Sequence, residues 1–361
     1  MEYLPLNVFK VLSVTSHSNA DNLEVIQIEV ATVIAQKNIY SVGDSVIWLP
    51  PQLAIAPETA KNAIVDKYLK KRTDRYGNEC LVVESIKLRG QTSVGLIVLE
   101  EGTAGFFQPG TTWKYEPSTK YKCTDGIADN PLFPKFSSPE NYRHSVGLIP
   151  DDCWIEVTEK IHGTNSRIAV VMTELGYEYL AGSKAVNRAP KEGLMWNENN
   201  GMPQSITKDL YWSPYDSDLL SDLMAQLRDS CLKLPGDSVV IYGEIYGPTI
   251  QKGFSYGKLN GDLGYKVFDI VVNGLYLPSP DRFVMGLYSE LKAPCVYSGY
   301  KLAFKELEEM ANGLSLIDNK TMREGVVIRY VNTNTNKVER LKLVGSEYLC
   351  SKHIANDTTD E

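Results

Sequence analysis

The alternation of apolar and polar positions divides the chain into two regions with different punctuation. Up to about residue 115, short apolar runs follow one another closely: Phe9–Val14, Leu23–Val33, Ser45–Leu49, Cys80–Leu88 and Val94–Leu99. Gly43-Asp44, Gly77-Asn78 and Gly90 separate them as turn signals. Closely spaced strands of this kind predict a small β-barrel. From about 150 to 350, strand-like runs (Trp154–Thr158, Arg167–Met172, Val239–Tyr242, Lys266–Val271, Val326–Tyr330) mix with two helical periodicities. One helix starts with Asp216 or Ser217 as its cap and ends before Pro235-Gly236, with Leu220, Leu223, Met224, Leu227 and Cys231 as its apolar stripe. The other covers about Leu302–Asn312, with Phe304, Leu307 and Met310 inward and Gly313 as its stop. Both stripes read as core. The fold class is α+β, a β-barrel domain followed by a mixed α/β domain.

Between the two, Pro117, Pro131, Pro134 and Pro139 interrupt a polar stretch in which Phe133, Phe136 and Tyr142 offer anchors. This predicts a linker packed on a surface. The expected division is 1–115, linker 116–149, second domain 150–352 and a polar tail 353–361. A chain of 361 residues can bury two cores. Apolar residues at 43% and charged residues at 23% fit an ordinary globular protein. No apolar run reaches the roughly 20 residues of a membrane span, and Met1–Val11 lacks a secretory pattern. Cys80, Cys123, Cys153, Cys231, Cys295 and Cys350 are scattered without a Cys-x-x-Cys pair, so reduced thiols are expected and a zinc site is not. The expected location is intracellular, cytoplasmic or nuclear, with no membrane partner.

The net charge of −8 argues against sequence-blind adhesion to nucleic acid. It leaves room for a local basic track. Lys67, Lys70, Lys71, Arg72 and Arg75 cluster with Tyr68 and Tyr76, and Lys87 and Arg89 follow. They read equally as a solvated face or as a phosphate-contacting surface.

The chemistry concentrates in a few strand-end segments. Glu159-Lys160-Ile161-His162-Gly163-Thr164-Asn165 sets a lysine at the end of one strand, just before a Gly turn. Gly243-Glu244-Ile245-Tyr246-Gly247-Pro248 places a carboxylate at the end of another. Tyr265-Lys266-Val267-Phe268-Asp269-Ile270 supplies an aromatic that can lie against a base, and Arg323-Glu324-Gly325-Val326 a second carboxylate. Arg340-Leu341-Lys342-Leu343 adds cations. Each piece alone has a structural reading; the ordered set is what chance does not explain. A free lysine, with a pKa near 10.4, is protonated at neutral pH and must lose that proton to attack phosphorus. Glu244 and Glu324 make sense as holders of a hydrated divalent metal that polarises an α-phosphate, with Lys342 neutralising phosphate oxygens. The set fits nucleotidyl transfer onto Lys160.

These motifs resemble the covalent nucleotidyltransferase superfamily, and Glu-Lys-Ile-His-Gly-Thr-Asn with Gly-Glu-Ile-Tyr-Gly-Pro and Val-Phe-Asp-Ile is most similar to its RNA ligase branch. A barrel before the catalytic domain is similar to RNA ligases of the Naegleria and Deinococcus type. The turn Ser16-His17-Ser18-Asn19-Ala20-Asp21 likewise resembles that of transfer-RNA-binding OB domains, with Ser18 in place of a proline and His17 read as a turn cap. The resemblance implies an OB-fold barrel and a nucleotidyltransferase (ligase adenylation) domain. It implies ATP, a covalent AMP on Lys160 and Mn2+ or Mg2+. Asn165 and Lys184 would meet the ribose or its phosphate, and Glu244 the ribose or the metal. Phe268 and Val327 would sandwich adenine, with Glu159 and Ile161 flanking the nucleotide. Glu324 would serve the metal and Lys342 the phosphates. Where relatives carry two lysines two apart, the partner of Lys342 would be Arg340 or Val344, with Arg340 favoured. Lys184 stands where relatives often carry arginine. His162 replaces an aspartate of DNA ligases and capping enzymes, and either serves later steps or shapes the loop. The implied substrate is RNA, as a nicked duplex with RNA on the 3′-OH side, sealed by a monomer. Rival readings are a DNA ligase, a capping guanylyltransferase and a non-catalytic RNA-binding protein.

Overall fold

The structure, a computed structural model, describes residues 6–74, 77–115, 126–145, 147–206, 209–277, 287–333 and 335–351. The N-terminal half-buried runs form β1 (Val8–Ser16), β2 (Leu23–Ile28), β3 (Ala31–Gln36), β4 (Ser45–Leu49) and β5 (Leu53–Ile55). After helix α1 (Pro57–Asn62) come β6 (Lys70–Thr73), β7 (Glu79–Val82), the hairpin β8 (Ile86–Leu88) and β9 (Gln91–Ser93), β10 (Leu96–Leu99) and β11 (Thr112–Lys114). They make two sheets, β10-β4-β1-β2-β3 and β11-β5-β7-β6. The Val94 N–H donates to the Thr32 carbonyl and the Ile34 N–H to Ser93 Oγ, both at 2.9 Å, so the barrel is nearly closed. Val11, Ile26, Val33 and Trp48 fill its interior. At the end of β1, His17 Nδ1 accepts from the Asn19 N–H at 3.0 Å and Nε2 lies 3.1 Å from the Leu88 carbonyl. Nε2 therefore carries the proton, and the imidazole caps the turn.

Three runs expected to be single strands are divided. Leu23–Val33 folds back at Glu29-Val30 as the β2–β3 hairpin. Its turn residue Val30 is buried and apolar, so the sequence carries no turn signal there. Val94–Leu99 breaks at Gly95, whose φ of +77° suits glycine and whose missing Cβ leaves room for the Trp48 indole. Cys80–Leu88 ends as a strand at Val82, because the Val83 N–H and carbonyl turn to Leu53 and Gln52.

After the short strands β12 (Gly126–Ile127) and β13 (Glu140–Asn141) come β14 (Trp154–Lys160), β15 (Thr164–Thr173), β16 (Gly176–Ser183) and β17 (Asn187–Arg188). The hairpin β18 (Leu194–Trp196) and β19 (Pro203–Ser205) precedes helix α2 (Asp218–Cys231). Next are β20 (Ser238–Tyr246), β21 (Gly264–Val272), β22 (Leu275–Tyr276), α3 (Leu287–Leu291) and β23 (Cys295–Tyr300). Helix α4 (Phe304–Ala311), β24 (Gly325–Asn332), β25 (Lys337–Val344) and α5 (Ser346–Leu349) complete the described chain. One sheet runs β12-β17-β16-β15-β20-β21-β22, the other β13-β25-β24-β14-β23. The first is apolar on both faces. Ile168, Val170, Val239 and Ile241 meet α2, while Ala169, Val171, Val240 and Tyr242 are covered by Phe133 and Phe136 of the connecting segment. Continuous apolar runs in β15 and β20 follow from this double burial. Helix α4 covers the second sheet through Leu307 and Ala311. Among the described residues, no helix is long and apolar enough to cross a membrane.

The two domains meet at Arg143, which is 2% exposed. Its guanidinium donates to the Val30 carbonyl of the barrel at 2.5 Å and to Glu308 of α4 at 2.7 Å. Beside it, His144 packs edge-on against Trp48 of the barrel at 5.7 Å. Burial, then the cations Arg143 and Lys114, push the His144 imidazole down to about 4. The unfolded chain then binds more protons than the folded one between that value and the ordinary histidine pKa near 6.5, so stability is lost as pH is lowered through that window. Urea unfolding of wild type and His144→Asn should show this as an extra loss of about 2–3 kcal/mol in wild type between pH 6.5 and 4. Parallel curves for the two proteins would contradict it.

Candidate active site

Strand β14 sorts its side chains by alternation. Ile155 and Val157 point into the core, whereas Glu156, Thr158 and Lys160 line a cleft between the two sheets. The cleft spans about 990 Å3 counted out to its mouth. Lys160 is the last residue of β14 and pairs with Gly325, directly after Glu324. Its Nζ donates to Glu324 Oε1 at 2.5 Å. Glu324 Oε2 is buried without a hydrogen-bond partner among the described residues, 3.4 Å from His162 Nδ1. The turn into β15 needs Gly163: a Cβ there would stand 2.9 Å from Glu244 Cγ. The lysine loop thus passes immediately under Glu244. On β15 and β20, Asn165 and Glu244 are direct cross-strand partners, and both line the cleft. Lys184 enters from the end of β16, and Phe268 from β21. From the opposite sheet come Val327 and Lys342, a cross-strand pair on β24 and β25.

The structure therefore gathers Lys160, Asn165, Lys184, Glu244, Phe268, Val327, Arg340 and Lys342 around one cleft, with Glu324 bonded to Lys160. Glu159 and Ile161 also line the cleft, and with His162 they have further partners behind it. The Glu159 carboxylate lies on the core side of β14, where the Leu316 N–H donates to it at 2.7 Å and Arg323 stands 3.9 Å away. Burial pushes its carboxyl up. Ile161, though at the cleft, is 5% exposed and belongs to an apolar cluster with Tyr246, Phe254, Tyr256 and Tyr348. His162 sits behind Glu324 and not in the cleft wall: its ring meets Phe254 edge-on at 4.4 Å, and Tyr348 Oη lies 3.3 Å from Nε2.

Arg340 is the clearest case. Its guanidinium is bonded to Asp269 and stacks over Tyr276 at 4.2 Å, while Val344 packs into the apolar cluster. Arg329 donates to the other oxygen of Asp269 at 2.7 Å. Arg340 thus lines the cleft and also ties the two sheets together. Asp269 lay inside the quoted Val-Phe-Asp-Ile motif, and its role was missed because a strand aspartate signals nothing until its two arginines are known. Phe136 and Lys292 also line the cleft unannounced by sequence; Glu156 was recoverable from its even spacing to Lys160.

The basic track lies on the barrel. Lys70, Lys71 and Arg72 occupy the edge strand β6 and pair with Glu84, Glu79 and Glu84, each at 2.9 Å. Lys67 lies over the Tyr68 ring at 4.8 Å. Exposed pairs of this kind contribute little to stability. Arg75 and Tyr76 fall outside the described residues.

A family model of RNA ligases matches residues 154–344, and one of an OB-fold domain matches residues 6–99. No curated protein sequence matches the chain. Among solved structures, a Naegleria gruberi RNA ligase variant with AMP and Mn superposes with a TM-score of 0.64 at 17% identity, covering 95% of this chain and 97% of that one. The Naegleria gruberi RNA ligase with PPi gives the same four values. A further variant, with ATP and Mn, covers 98% of its own chain at the same TM-score and identity. At that identity the likeness is one of fold, and it includes the barrel placed before the catalytic domain.

Replacing Asp269 by Asn leaves two buried guanidiniums without their counter-charge. Unfolding free energy from urea titration should fall by roughly 3–5 kcal/mol. A loss under about 1 kcal/mol, the level of a surface pair, would contradict the tie.

Proposed function

The chain belongs to the RNA ligase family, and on that premise we propose that it is an ATP-dependent ligase acting through a covalent lysyl–AMP on Lys160. The observation that carries the proposal is the Lys160 amine at the wall of the cleft, held at 2.5 Å by Glu324 and accompanied by Glu244, Lys184 and Lys342.

In the first step the Lys160 nitrogen forms a bond to the α-phosphorus of ATP, and the bond to the leaving pyrophosphate breaks. Glu324 is the acceptor already hydrogen-bonded to the amine that must lose its proton. Phe268 and Val327, on facing sheets, sandwich the base, while Asn165 and Lys184 receive the ribose or its phosphate. Lys342 neutralises the charge that gathers on the phosphate oxygens. AMP then passes to the 5′-phosphate of the RNA, and the 3′-OH attacks that phosphorus and expels AMP. The donor set suits Mn2+ or Mg2+: Glu324 Oε2 is buried with no hydrogen-bond partner among the described residues, and carboxylates plus retained water are what such hard cations take. Held by Glu244 and Glu324, the cation would polarise the α-phosphate.

The finer reading is a monomer that seals nicked duplexes with RNA on the 3′-OH side, inside the cell. The barrel would grip the duplex, with Lys67, Lys70, Lys71 and Arg72 on its β6 side as contacts. Incubation with α-labelled ATP or GTP and Mn2+ or Mg2+ tests the chemistry. Wild type should retain label from ATP after denaturation, and Lys160→Ala should retain none while still binding RNA. Label from GTP would move the reading to capping chemistry, and no label on folded protein free of AMP would favour an RNA-binding role. Sealing should be faster at a nick with RNA on the 3′-OH side than at one with DNA there; equal rates would remove that specificity.

A further inference from the structure

Two charged residues of the cleft have no part in that chemistry. Glu156 lies on the same face of β14 as Lys160, four residues earlier, or about 13 Å along a strand. Lys292 is bonded to it, and the two side chains are 23% and 14% exposed. Lys292 is fixed beside the stacking residue: it bridges Val267, the neighbour of Phe268, and the next residue, Ala293, donates its N–H to the Val267 carbonyl at 2.8 Å. The pair lines the same cleft as Phe268, and the Lys292 segment runs beside the Lys160 end of β14, where the Glu159 N–H donates to the Pro294 carbonyl at 2.8 Å. Asp269, Arg329 and Arg340 satisfy one another and offer the base little. A half-buried ion pair is a poor way to hold two strands together, since its desolvation offsets most of its attraction. It is a good way to present an acceptor beside a donor.

We propose that Glu156 and Lys292 read the Watson–Crick edge of adenine, Glu156 accepting from the 6-amino group and Lys292 donating to N1. Guanine in the same seat would set its O6 against the Glu156 carboxylate and its N1–H against the Lys292 ammonium, so the pair also rejects the wrong base. The proposal rests on the reading of the cleft as an ATP site.

The test uses the full chain and label retention from three nucleotides: ATP, GTP and purine riboside triphosphate, which lacks the 6-amino group. The exchange Glu156→Lys with Lys292→Glu keeps the ion pair and inverts donor and acceptor. Glu156→Ala removes the acceptor alone. Wild type should half-saturate with ATP at a concentration at least about tenfold below that for purine riboside triphosphate, the worth of one hydrogen bond to a charged group. Both variants should lose that preference, and the exchange should also narrow the ATP-over-GTP ratio. Each preference is a ratio within one protein, so a general loss of stability does not move it. Wild type that labels from ATP, with variants that keep its base preference, would overturn the proposal and leave the lysyl–AMP intact. Wild type that labels from no nucleotide would instead overturn the reading on which the proposal rests.

Discussion

One buried carboxylate sets the geometry on which the cleft depends. Asp269, on the seven-stranded sheet, accepts from Arg329 and Arg340 of the five-stranded sheet, and is itself only 1% exposed. Two sheets that merely stacked apolar faces would close on each other and leave no cleft. A charge tie holds them at a fixed distance instead, because neither arginine can retreat from Asp269 without leaving buried charge unmatched. Phe268 precedes Asp269 on β21, and Val327 and Lys342 share the cleft-facing side of β24 and β25 with Arg329 and Arg340, two residues away on each strand. The residues that face the open cleft are thus placed by their neighbours in the same strands.

The connecting segment is part of the same construction. Phe136 packs with its ring tilted against Phe268 at 5.1 Å and against Tyr242 at 5.3 Å, and Arg340 lies 5.4 Å over its ring. Arg167, wholly buried, bonds the Phe133 carbonyl, Ser183 and Asn187, so the segment is clamped to β16 and β17 as well. A stretch rich in proline can serve in this way because it has few N–H groups to satisfy and its aromatics do the packing. It then delivers Arg143 to the barrel, where one guanidinium meets both domains.

How much of this was legible in sequence depends on the range of the interaction. Strand-end chemistry was readable because Lys160, Glu244, Phe268 and Glu324 carry their signal in the few residues around them. Helix α2 was readable from its stripe, and it spans Asp218–Cys231 after Ser217 as expected. The β2–β3 hairpin was hidden because Val30 is buried under Arg143, a contact across 113 residues that no local pattern announces. The second task of Arg340 was hidden for a related reason: its partner Asp269 lies on another sheet, 71 residues away in the chain. Lys292 has no motif at all, and its place follows only from the bridge to Val267.

His162 shows how far the position of a side chain constrains its role. It lies 3.4 Å from Glu324 Oε2 on one side and under Tyr348 on the other, enclosed by Phe254. An aspartate in this nest would set a second carboxylate against Glu324, at the cost of burying like charges together. Histidine fits the aromatic walls and still offers Glu324 a ring nitrogen. The next residue along α5, Leu349, packs against the barrel interior, so a helix of 4 residues touches both His162, the neighbour of Glu324, and the barrel. Any displacement of the barrel against the second domain pulls on the helix that carries Tyr348. The aromatic nest therefore does two things at once: it fixes the Glu324 side of the lysine site, and it fixes that site relative to the barrel.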